Sequence, residues 1–314
     1  MTFKHESVLL NETIEGLAIK PDGIYVDCTL GAGGHSSEIL KRLKEGFLYA
    51  FDQDIEAIKA AKDRLSNISN HFTIIKSNFV NLKEELNKHD VYKVDGILFD
   101  LGVSSPQFDT PERGFSYKYN ARLDMRMDLD QTLSAYDIIN TYSFQDLYRI
   151  IHQYGEEKYA RNIAREIEKV RQIKPIETTF ELVDIIKRVV PAKSQREKHP
   201  AKRTFQALRI ETNKELDILP KALEDAIDML KIGGRIAVIT FHSLEDRITK
   251  EIFKKYASLK DIPSKLPIQT KEEKTVLTLV NRKVITANEE ELKENKRAHS
   301  AKLRIAEKNK EKEY

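Results

Sequence analysis

Residues 24–36 constrain the fold more than any other stretch of the chain. A short apolar run, Ile24-Tyr25-Val26, leads through Asp27 into a turn with glycines at positions 31, 33 and 34. Apolar residues then recur at helical spacing from Ser36 to about Leu43. A buried strand, a glycine-rich turn and a helix in this order are typical of the first crossover of a doubly wound α/β domain. Glycine suits the turn because the backbone bends tightly and a ligand can approach it closely.

The spacing of the glycines distinguishes between two classes of ligand. A dinucleotide fingerprint places glycine at the first, third and sixth positions, but the sixth position counted from Gly31 is Ser36, which disfavours an NAD-dependent oxidoreductase. Asp27 instead gives the pattern Asp-x-x-x-Gly-x-Gly. That pattern resembles the first motif of class I S-adenosyl-L-methionine (AdoMet) methyltransferases. On this turn alone, a purely structural role stays open.

Three further apolar runs predict strands whose ends carry polar or aromatic residues. Residues 47–51 end at Asp52, residues 72–75 are followed by Phe79, and residues 94–99 end at Asp100. A carboxylate after the second strand is placed to accept the ribose hydroxyls of an adenosine-containing cofactor. We favour Asp52 for this role over Asp54, which we expect to cap the next helix. Position alone leaves Phe79 divided between stacking on adenine and packing in the core.

Composition limits the other function classes. The 314 residues include 53 Lys and Arg and 50 Asp and Glu, a formal charge of +3, so only local basic runs can indicate a nucleic-acid partner. Cys28 is the only cysteine, which excludes a disulfide framework and a cysteine-based zinc site, and we predict no metal site. No apolar run reaches the roughly 18 residues of a transmembrane helix and no signal peptide is evident, so we expect a soluble, cytoplasmic protein.

The alternation of strands and helices stops between about Phe108 and His199. Apolar residues at helical spacing predict an all-helical domain inserted at 109–199, between core segments 1–108 and 200–314. Eight basic residues stand against one acid, Glu197, in residues 187–209: Lys187, Arg188, Lys193, Arg196, Lys198, Lys202, Arg203 and Arg209. A solvated face is one interpretation, and we favour a surface that contacts phosphates. Three later strands are predicted at 236–241, 275–280 and 302–306, with a mobile loop at 260–274.

Six segments, in order along the chain, resemble one family. They are Gly-Gly-His-Ser (33–36), Asp-Leu-Gly-Val-Ser-Ser-Pro-Gln (100–107), Leu-Asp-Met-Arg-Met-Asp (123–128), Arg-Thr-Phe-Gln-Ala-Leu-Arg-Ile (203–210), Phe-His-Ser-Leu-Glu-Asp-Arg (241–247) and Arg-Ala-His-Ser-Ala-Lys-Leu-Arg (297–304). Together they resemble the family of ribosomal RNA small subunit methyltransferase H, also called MraW. The resemblance implies a class I AdoMet methyltransferase fold, a Rossmann-like, mostly parallel seven-stranded sheet with an inserted helical domain. It also implies AdoMet-dependent methylation of N(4) of a cytidine in the decoding region of 16S rRNA.

The resemblance and the patterns above together give a set of predicted site residues. The predicted cofactor-binding residues are Gly31, Gly33, Gly34, His35, Asp52, Phe79, Asp100 and Gln107. The predicted catalytic residues are Asp100, Ser104, Ser105 and Pro106, whose oxygen atoms can bind the N–H groups of the acceptor amine. The predicted RNA-binding residues are Arg126, Lys193, Arg196, Lys198, Lys202, Arg203 and His242. His242 opens a helix in which capping is an equal interpretation.

Two other functions stay open at the level of sequence. One is an amino-methyltransferase that acts on DNA or on another RNA, and the other is a non-catalytic, AdoMet-binding ribosome assembly factor. The expected partner is small-subunit rRNA or the assembled small subunit, and the sequence does not decide whether the protein is a homodimer.

Overall fold

The computed structural model describes residues 7–197, 199–258 and 275–312. The side chains of Ser105 and Glu197, the predicted RNA contact Lys198 and the predicted loop at 260–274 lie outside the described residues. The strands are β1 (Ile24–Asp27), β2 (Phe47–Asp52), β3 (Phe72–Lys76), β4 (Val94–Asp100), β5 (Leu230–Thr240), β6 (Leu277–Leu279) and β7 (Lys302–Lys308). The helices are α1 (Leu10–Leu17), α2 (Gly34–Leu40), α3 (Ile55–Ser66), α4 (Leu82–Asn87), α5 (Ser105–Asp109), α6 (Ala135–Thr141), α7 (Phe144–Gln153), α8 (Ala160–Arg171), α9 (Thr179–Val189), α10 (Ala192–Glu197), α11 (Lys202–Asn213), α12 (Glu215–Met229), α13 (Ser243–Ala257) and α14 (Glu289–Glu294).

Within the described residues, the strands form one seven-stranded sheet in the order β3-β2-β1-β4-β5-β7-β6. Strands β1 to β5 pair in parallel, and β7 runs antiparallel to β5 and to β6. The predicted mostly parallel, seven-stranded sheet is confirmed. Because parallel strands end at one edge, the residues that follow β1, β2, β3 and β4 lie along the same side of the sheet.

Alternating side chains of the strands build two hydrophobic layers. On one face, Phe51, Ile97 and Val238 pack with residues of α12 and α13. On the other face, Leu48 and Leu98 pack with residues of α1, α2 and α3. This is the arrangement that continuous apolar strands predict, since a parallel sheet is covered by helices on both faces.

The chain divides into two compact units. Within the described residues, the first contains the sheet and comprises the chain up to Gly102 and from Ile218 onward, and the second is Val103–Asp217. The second unit has its own apolar core, to which α6, α7, α8, α9 and α11 contribute. Capping boxes begin two of these helices, Ser134 with Asp137 at α6 and Thr178 with Glu181 at α9.

The division of the chain differs from the predicted boundaries at 108/109 and 199/200. The second unit begins earlier, at Val103, and ends later, at Asp217. Helix α11 lies in the predicted methyltransferase segment 200–314, but it contributes Phe205 and Leu208 to the apolar core of the second unit. Its apolar periodicity indicates a buried face but does not identify the neighbour that covers it.

Candidate active site

The glycine turn is fixed to the end of the neighbouring strand. Gly31 and Gly33 have φ angles of 51° and 75°, in the left-handed region that favours glycine. The Leu30 N–H donates to the Phe51 carbonyl at 2.8 Å, and the Gly31 N–H donates to Asp52 Oδ2 at 2.8 Å. A Cβ atom on Gly34 would overlap Ser7 Oγ. The turn therefore has no room for a side chain at position 34.

Both carboxylate oxygens of Asp52 accept backbone N–H groups. Oδ2 accepts from Gly31, and Oδ1 accepts from the Asp54 N–H at 2.9 Å. Burial raises the pKa of Asp52 to about 6, against the lowering effect of these two hydrogen bonds. Asp54 instead accepts from the Glu56 N–H at 3.0 Å and caps α3, as predicted. Since a carboxylate accepts about four hydrogen bonds, Asp52 still has lone pairs for two further donors.

A hydrogen-bonded chain connects the ends of β1 and β4. The buried Asp27 accepts from Ser36 Oγ at 2.7 Å and from the Thr29 N–H at 3.0 Å. The Thr29 hydroxyl lies 3.3 Å from Asp27 Oδ1 and accepts the Asp100 N–H at 2.6 Å. Ser36 therefore has a structural reason to replace the glycine of the dinucleotide fingerprint, because its hydroxyl binds the buried carboxylate.

His35 is buried, with 4% of its side chain exposed, and both ring nitrogens face oxygen atoms. Nε2 lies 3.1 Å from the Val8 carbonyl oxygen, and Nδ1 lies 3.4 Å from Asp100 Oδ2. A carbonyl and a carboxylate both accept, so only a ring that is protonated on both nitrogens satisfies the two contacts. Burial lowers the pKa of His35, but the hydrogen bond and charge of Asp100, with smaller contributions from Asp27 and Val8, raise it above its ordinary value overall. The imidazole thus holds Asp100 and the segment before α1.

Asp100 has one carboxylate oxygen engaged and one free within the described part of the chain. Oδ2 faces His35, whereas the buried Oδ1 has no hydrogen-bond partner among the described residues. One quarter of the side chain is exposed. A buried acceptor without a donor is unfavourable, so this atom is suited to an N–H group of a ligand.

Phe79 begins a one-turn 3-10 helix, Phe79–Asn81, after β3. Its half-buried ring packs edge-to-face on Phe99, with ring centroids 5.6 Å apart and planes at 82°. Asn78 caps this turn by accepting the Val80 N–H and also donates to the Gln53 amide oxygen at 2.9 Å. One edge of Phe79 therefore packs in the core, and part of the ring stays accessible.

The predicted residues of the 104–107 loop belong to the second unit. Ser104 precedes α5, its N–H donates to Gln107 Oε1 at 3.1 Å, and Gln107 is buried. Ser105 and Pro106 form the first turn of the helix. The Gln107 side chain therefore also helps to hold the start of α5.

The predicted RNA-binding residues of the second unit differ in whether their side chains are exposed or already hydrogen-bonded within the protein. Lys193 and Arg196 are exposed on α10, and Lys202 is exposed at the start of α11. Arg203 donates to the Glu156 carbonyl at 2.7 Å. Arg126 binds both oxygens of Asp124, at 2.9 and 2.8 Å, and donates to the Leu129 and Gln131 carbonyls. The last guanidinium is thus engaged in holding its own loop.

His242 caps α13, which is one of the two roles that the sequence allows. Its Nδ1 accepts the Glu245 N–H at 3.4 Å, while Glu245 Oε2 accepts the N–H groups of Phe241 and His242 at 2.8 and 3.2 Å. Asp246 on α13 pairs with Lys302 at 3.1 Å and with Arg304 at 2.7 Å, both on β7. Glu245 and Thr29 are not among the predicted site residues. The Ser/Thr/His-x-x-Glu spacing of a capping box could have indicated the first, but no local pattern indicates the second.

These residues suit an adenosine-containing cofactor and a neighbouring amino group. In the first unit, the glycine turn follows β1 and Phe79 follows β3, while Asp52 and Asp100 are the last residues of β2 and β4. All four lie along one edge of the sheet. There Asp52 can accept ribose hydroxyls, Phe79 offers a ring, and Asp100 Oδ1 can accept an N–H group. Gln107, Ser104, Ser105 and Pro106 lie in the second unit.

Comparison with known proteins identifies the family. The model of the MraW methylase family matches residues 2–309. This chain belongs to that family. It is 60% identical over 310 residues to ribosomal RNA small subunit methyltransferase H from Exiguobacterium sibiricum, an alignment that covers 98% of this chain and 99% of the relative. The protein is therefore a methyltransferase that uses AdoMet, and the cofactor prediction is confirmed.

Two solved structures resemble the chain weakly. An rRNA methylase from Streptococcus thermophilus is 14% identical, with 97% of this chain and 98% of that chain covered and a TM-score of 0.44. A SAM-dependent O-methyltransferase from Thermotoga maritima is 11% identical, with coverages of 100% and 70% and a TM-score of 0.43. None of the described helices of this MraW family member combines the length and hydropathy that crossing a membrane requires.

Proposed function

We propose that this protein methylates the exocyclic N(4) amine of a cytidine in the decoding region of small-subunit rRNA. The observation that carries the proposal is the 60% identity, over 98% of the chain, to a relative named ribosomal RNA small subunit methyltransferase H. The choice of N(4) of cytidine comes from the resemblance of the six sequence segments. The alignment covers both units, so the catalytic unit and the substrate-binding unit are proposed together.

The residues proposed to hold the cofactor are Gly31, Gly33, Gly34, His35, Asp52, Phe79, Asp100 and Gln107. When bound, AdoMet supplies a methyl group on a positively charged sulfur atom. The backbone of the glycine turn admits a ligand closely, and Asp52 accepts the ribose hydroxyls. His35 acts through the carboxylate of Asp100, because both of its nitrogens already face oxygen atoms of the protein.

Asp100 is the residue we propose to activate the acceptor. The amino lone pair of cytidine is delocalised into the ring, so the free amine is a weak nucleophile. Asp100 Oδ1 accepts an amino N–H, which favours a pyramidal nitrogen. It would take the proton that the nitrogen releases as the new N–C bond forms and the methyl–sulfur bond of the donor breaks, with the electron pair left on sulfur. The other oxygen, Oδ2, lies 3.4 Å from Nδ1 of His35, which keeps the carboxylate oriented.

Residues that follow Asp100 in the chain are proposed to bind the base. Ser104 and Ser105 are proposed to offer hydroxyl acceptors to the second amino hydrogen. The Pro106 carbonyl already accepts the Thr110 N–H and hydroxyl, so Pro106 is proposed to pack against the ring of the base. The exposed Lys193, Arg196 and Lys202, with Lys198 and Arg203, are proposed to contact phosphates, and Arg126 and His242 to support the substrate side. The target base must leave any stack that it occupies, so an unpaired or flippable cytidine is expected.

The decisive measurement is mass spectrometry of nucleosides. Small subunits that lack the modification are incubated with the protein and AdoMet, and N(4)-methylcytidine at one decoding-region site is the expected product. Asp100→Ala should reduce turnover to background, whereas Asp63→Ala, which removes an exposed carboxylate on α3, should leave it unchanged. Methylation only of DNA or of a different RNA would overturn the proposed substrate. Near-normal turnover of Asp100→Ala would remove this residue from the mechanism.

A further inference from the structure

Helix α7 carries three ring side chains at a spacing of four residues, and two of them are exposed. Phe144 and Tyr148 are stacked, with centroids 6.4 Å apart and planes at 10°, and Tyr148 and His152 follow with centroids 5.5 Å apart and planes at 31°. Tyr148 is 37% exposed and His152 is also exposed, whereas Phe144 is half-buried and packs against the apolar core of the second unit. The spacing of four residues aligns the three rings along the helix, and we call them the α7 ring ladder.

Helix α8 carries three cations with the same spacing. Arg161, Arg165 and Lys169 are exposed, and successive members are about 6 Å apart along the helix axis. Within the described part of the chain, none of the three forms an ion pair, and the helix's acids Glu166 and Glu168 are half-buried on its flanks. Like charges four residues apart destabilise a helix unless an anion compensates them. We call these three residues the α8 basic stripe.

The ladder and the stripe belong to one helical hairpin of the second unit. Helices α7 and α8 pack on each other. Arg171, near the end of α8, donates to the carbonyls of Ile139 and Tyr142, which precede α7, so the two helices run antiparallel. The ring ladder and the basic stripe therefore extend along neighbouring helices of the same element.

We propose that this hairpin is a binding surface for an unpaired strand of the RNA substrate. The basic stripe contacts phosphates, and the ring ladder stacks on bases that are not paired. The inference rests on the proposed function in that it takes RNA as the ligand, and it adds a surface separate from the basic run at 187–209. Rings select single strands over duplexes, because the bases of a duplex are already stacked and their faces are not available.

The test measures binding of RNA without methyl transfer. Fluorescence anisotropy is recorded for a labelled, unstructured 15-nucleotide RNA and for a blunt duplex of the same length, over a series of salt concentrations. The variant Arg161→Gln/Arg165→Gln/Lys169→Gln should lower the slope of log Kd against log salt for the single strand by about 2. This value follows from three lost phosphate contacts that each contribute roughly 0.7 to the slope. The matched control Lys41→Gln/Lys59→Gln/Lys88→Gln removes three exposed lysines that are paired with glutamates in the first unit, and it should keep the slope.

The ring ladder is tested separately at Tyr148. Tyr148→Ala should weaken binding of the single strand by roughly fivefold or more and leave the duplex unchanged, while Tyr148→Phe keeps the wild-type affinity. Tyr92→Ala, at a tyrosine that is 60% exposed in the first unit, is the control and should have no effect. Circular dichroism melts verify that each variant is folded, as expected for exposed positions.

Each outcome decides the inference independently of the methylation target. An unchanged salt slope in the α8 variant, or wild-type single-strand affinity in Tyr148→Ala, overturns it even where N(4)-methylcytidine forms normally. If Tyr148→Ala weakens the affinity for the single strand and for the duplex equally, the surface binds duplexes as well, and this outcome also overturns the inference. If the variants lose single-strand binding but another nucleotide proves to be methylated, the hairpin surface stands and only the proposed target falls.

Discussion

Asp52 combines two opposing influences, and this makes its charge sensitive to pH. Burial raises its pKa to about 6 although two backbone N–H groups favour the carboxylate. The folded state therefore binds more protons than the unfolded state between about pH 4 and pH 6, and this group's contribution to stability falls as the pH rises through that window.

If the charged carboxylate binds the ribose, the affinity for AdoMet should weaken roughly fourfold between pH 7.5 and pH 5.5, in proportion to the charged fraction of a group with a pKa of about 6. Calorimetric titration at both pH values measures this. Asp52→Asn should bind AdoMet more weakly and should lose this change of affinity with pH. The variant thereby distinguishes protonation of Asp52 from protonation of AdoMet itself. The same change of affinity with pH in Asp52→Asn would assign the effect to another group.

The electrostatic contribution of His35 to stability should be present only while its ring is charged. Its contacts with Val8 and Asp100 raise its pKa, so its contribution is fully present below the unfolded value of about 6.5 and is lost as the pH rises through the higher folded pKa. His35→Gln should therefore lower the melting temperature by more at pH 6 than at pH 9. Equal losses at the two pH values would mean that the ring acts by packing alone.

At the scale of single elements, Gly33 of the glycine turn and Gly233 of β5 form a matched pair for substitution. Gly33 and Gly233 have similar φ angles, 75° and 79°, but a Cβ on Gly33 would lie 3.2 Å from the Ala61 Cβ, and a Cβ on Gly233 would meet nothing within 4 Å. Alanine in this conformation costs about 1–2 kcal/mol, so both variants should lose about that much free energy of unfolding, and Gly33→Ala somewhat more.

Only Gly33→Ala should also weaken AdoMet binding, because only its backbone belongs to the proposed cofactor turn. Chemical denaturation and calorimetry on the two alanine variants give both quantities. An equal loss of AdoMet affinity in Gly233→Ala would show that the effect passes through overall stability.

The same elements show what a sequence can and cannot predict. The strands around the sheet and the cap at Asp54 follow from apolar runs and from the local hydrogen-bonding habits of aspartate, so they were predictable. The assignment of α11 to the core was wrong because its period reveals a buried face and not the helices that cover it. The contact of His35 with Val8 joins positions 27 residues apart that only folding brings together. The partners of Arg126 are near in sequence, but the loop conformation that turns its guanidinium onto Asp124 does not follow from a periodic pattern.

At the scale of the whole molecule, the two units have separate apolar cores. A segment with its own core can fold alone, and we expect Val103–Asp217, expressed by itself, to be helical and to melt cooperatively. Circular dichroism of the isolated segment tests this. A molten, non-cooperative segment would mean that its core depends on the rest of the chain.

The complementary experiment replaces residues 103–217 with a flexible Gly/Ser linker of about ten residues. Of the residues proposed to hold AdoMet, the shortened chain keeps all those of the first unit and loses Gln107. The loss of one hydrogen bond of about 1 kcal/mol predicts AdoMet binding that is weakened roughly fivefold. Methylation of rRNA should be abolished, because the proposed phosphate contacts and the 104–106 loop are gone. Retained methylation would place substrate recognition in the sheet-containing unit, whereas complete loss of AdoMet binding in a folded protein would mean that the second unit contributes more to the cofactor site than Gln107 alone.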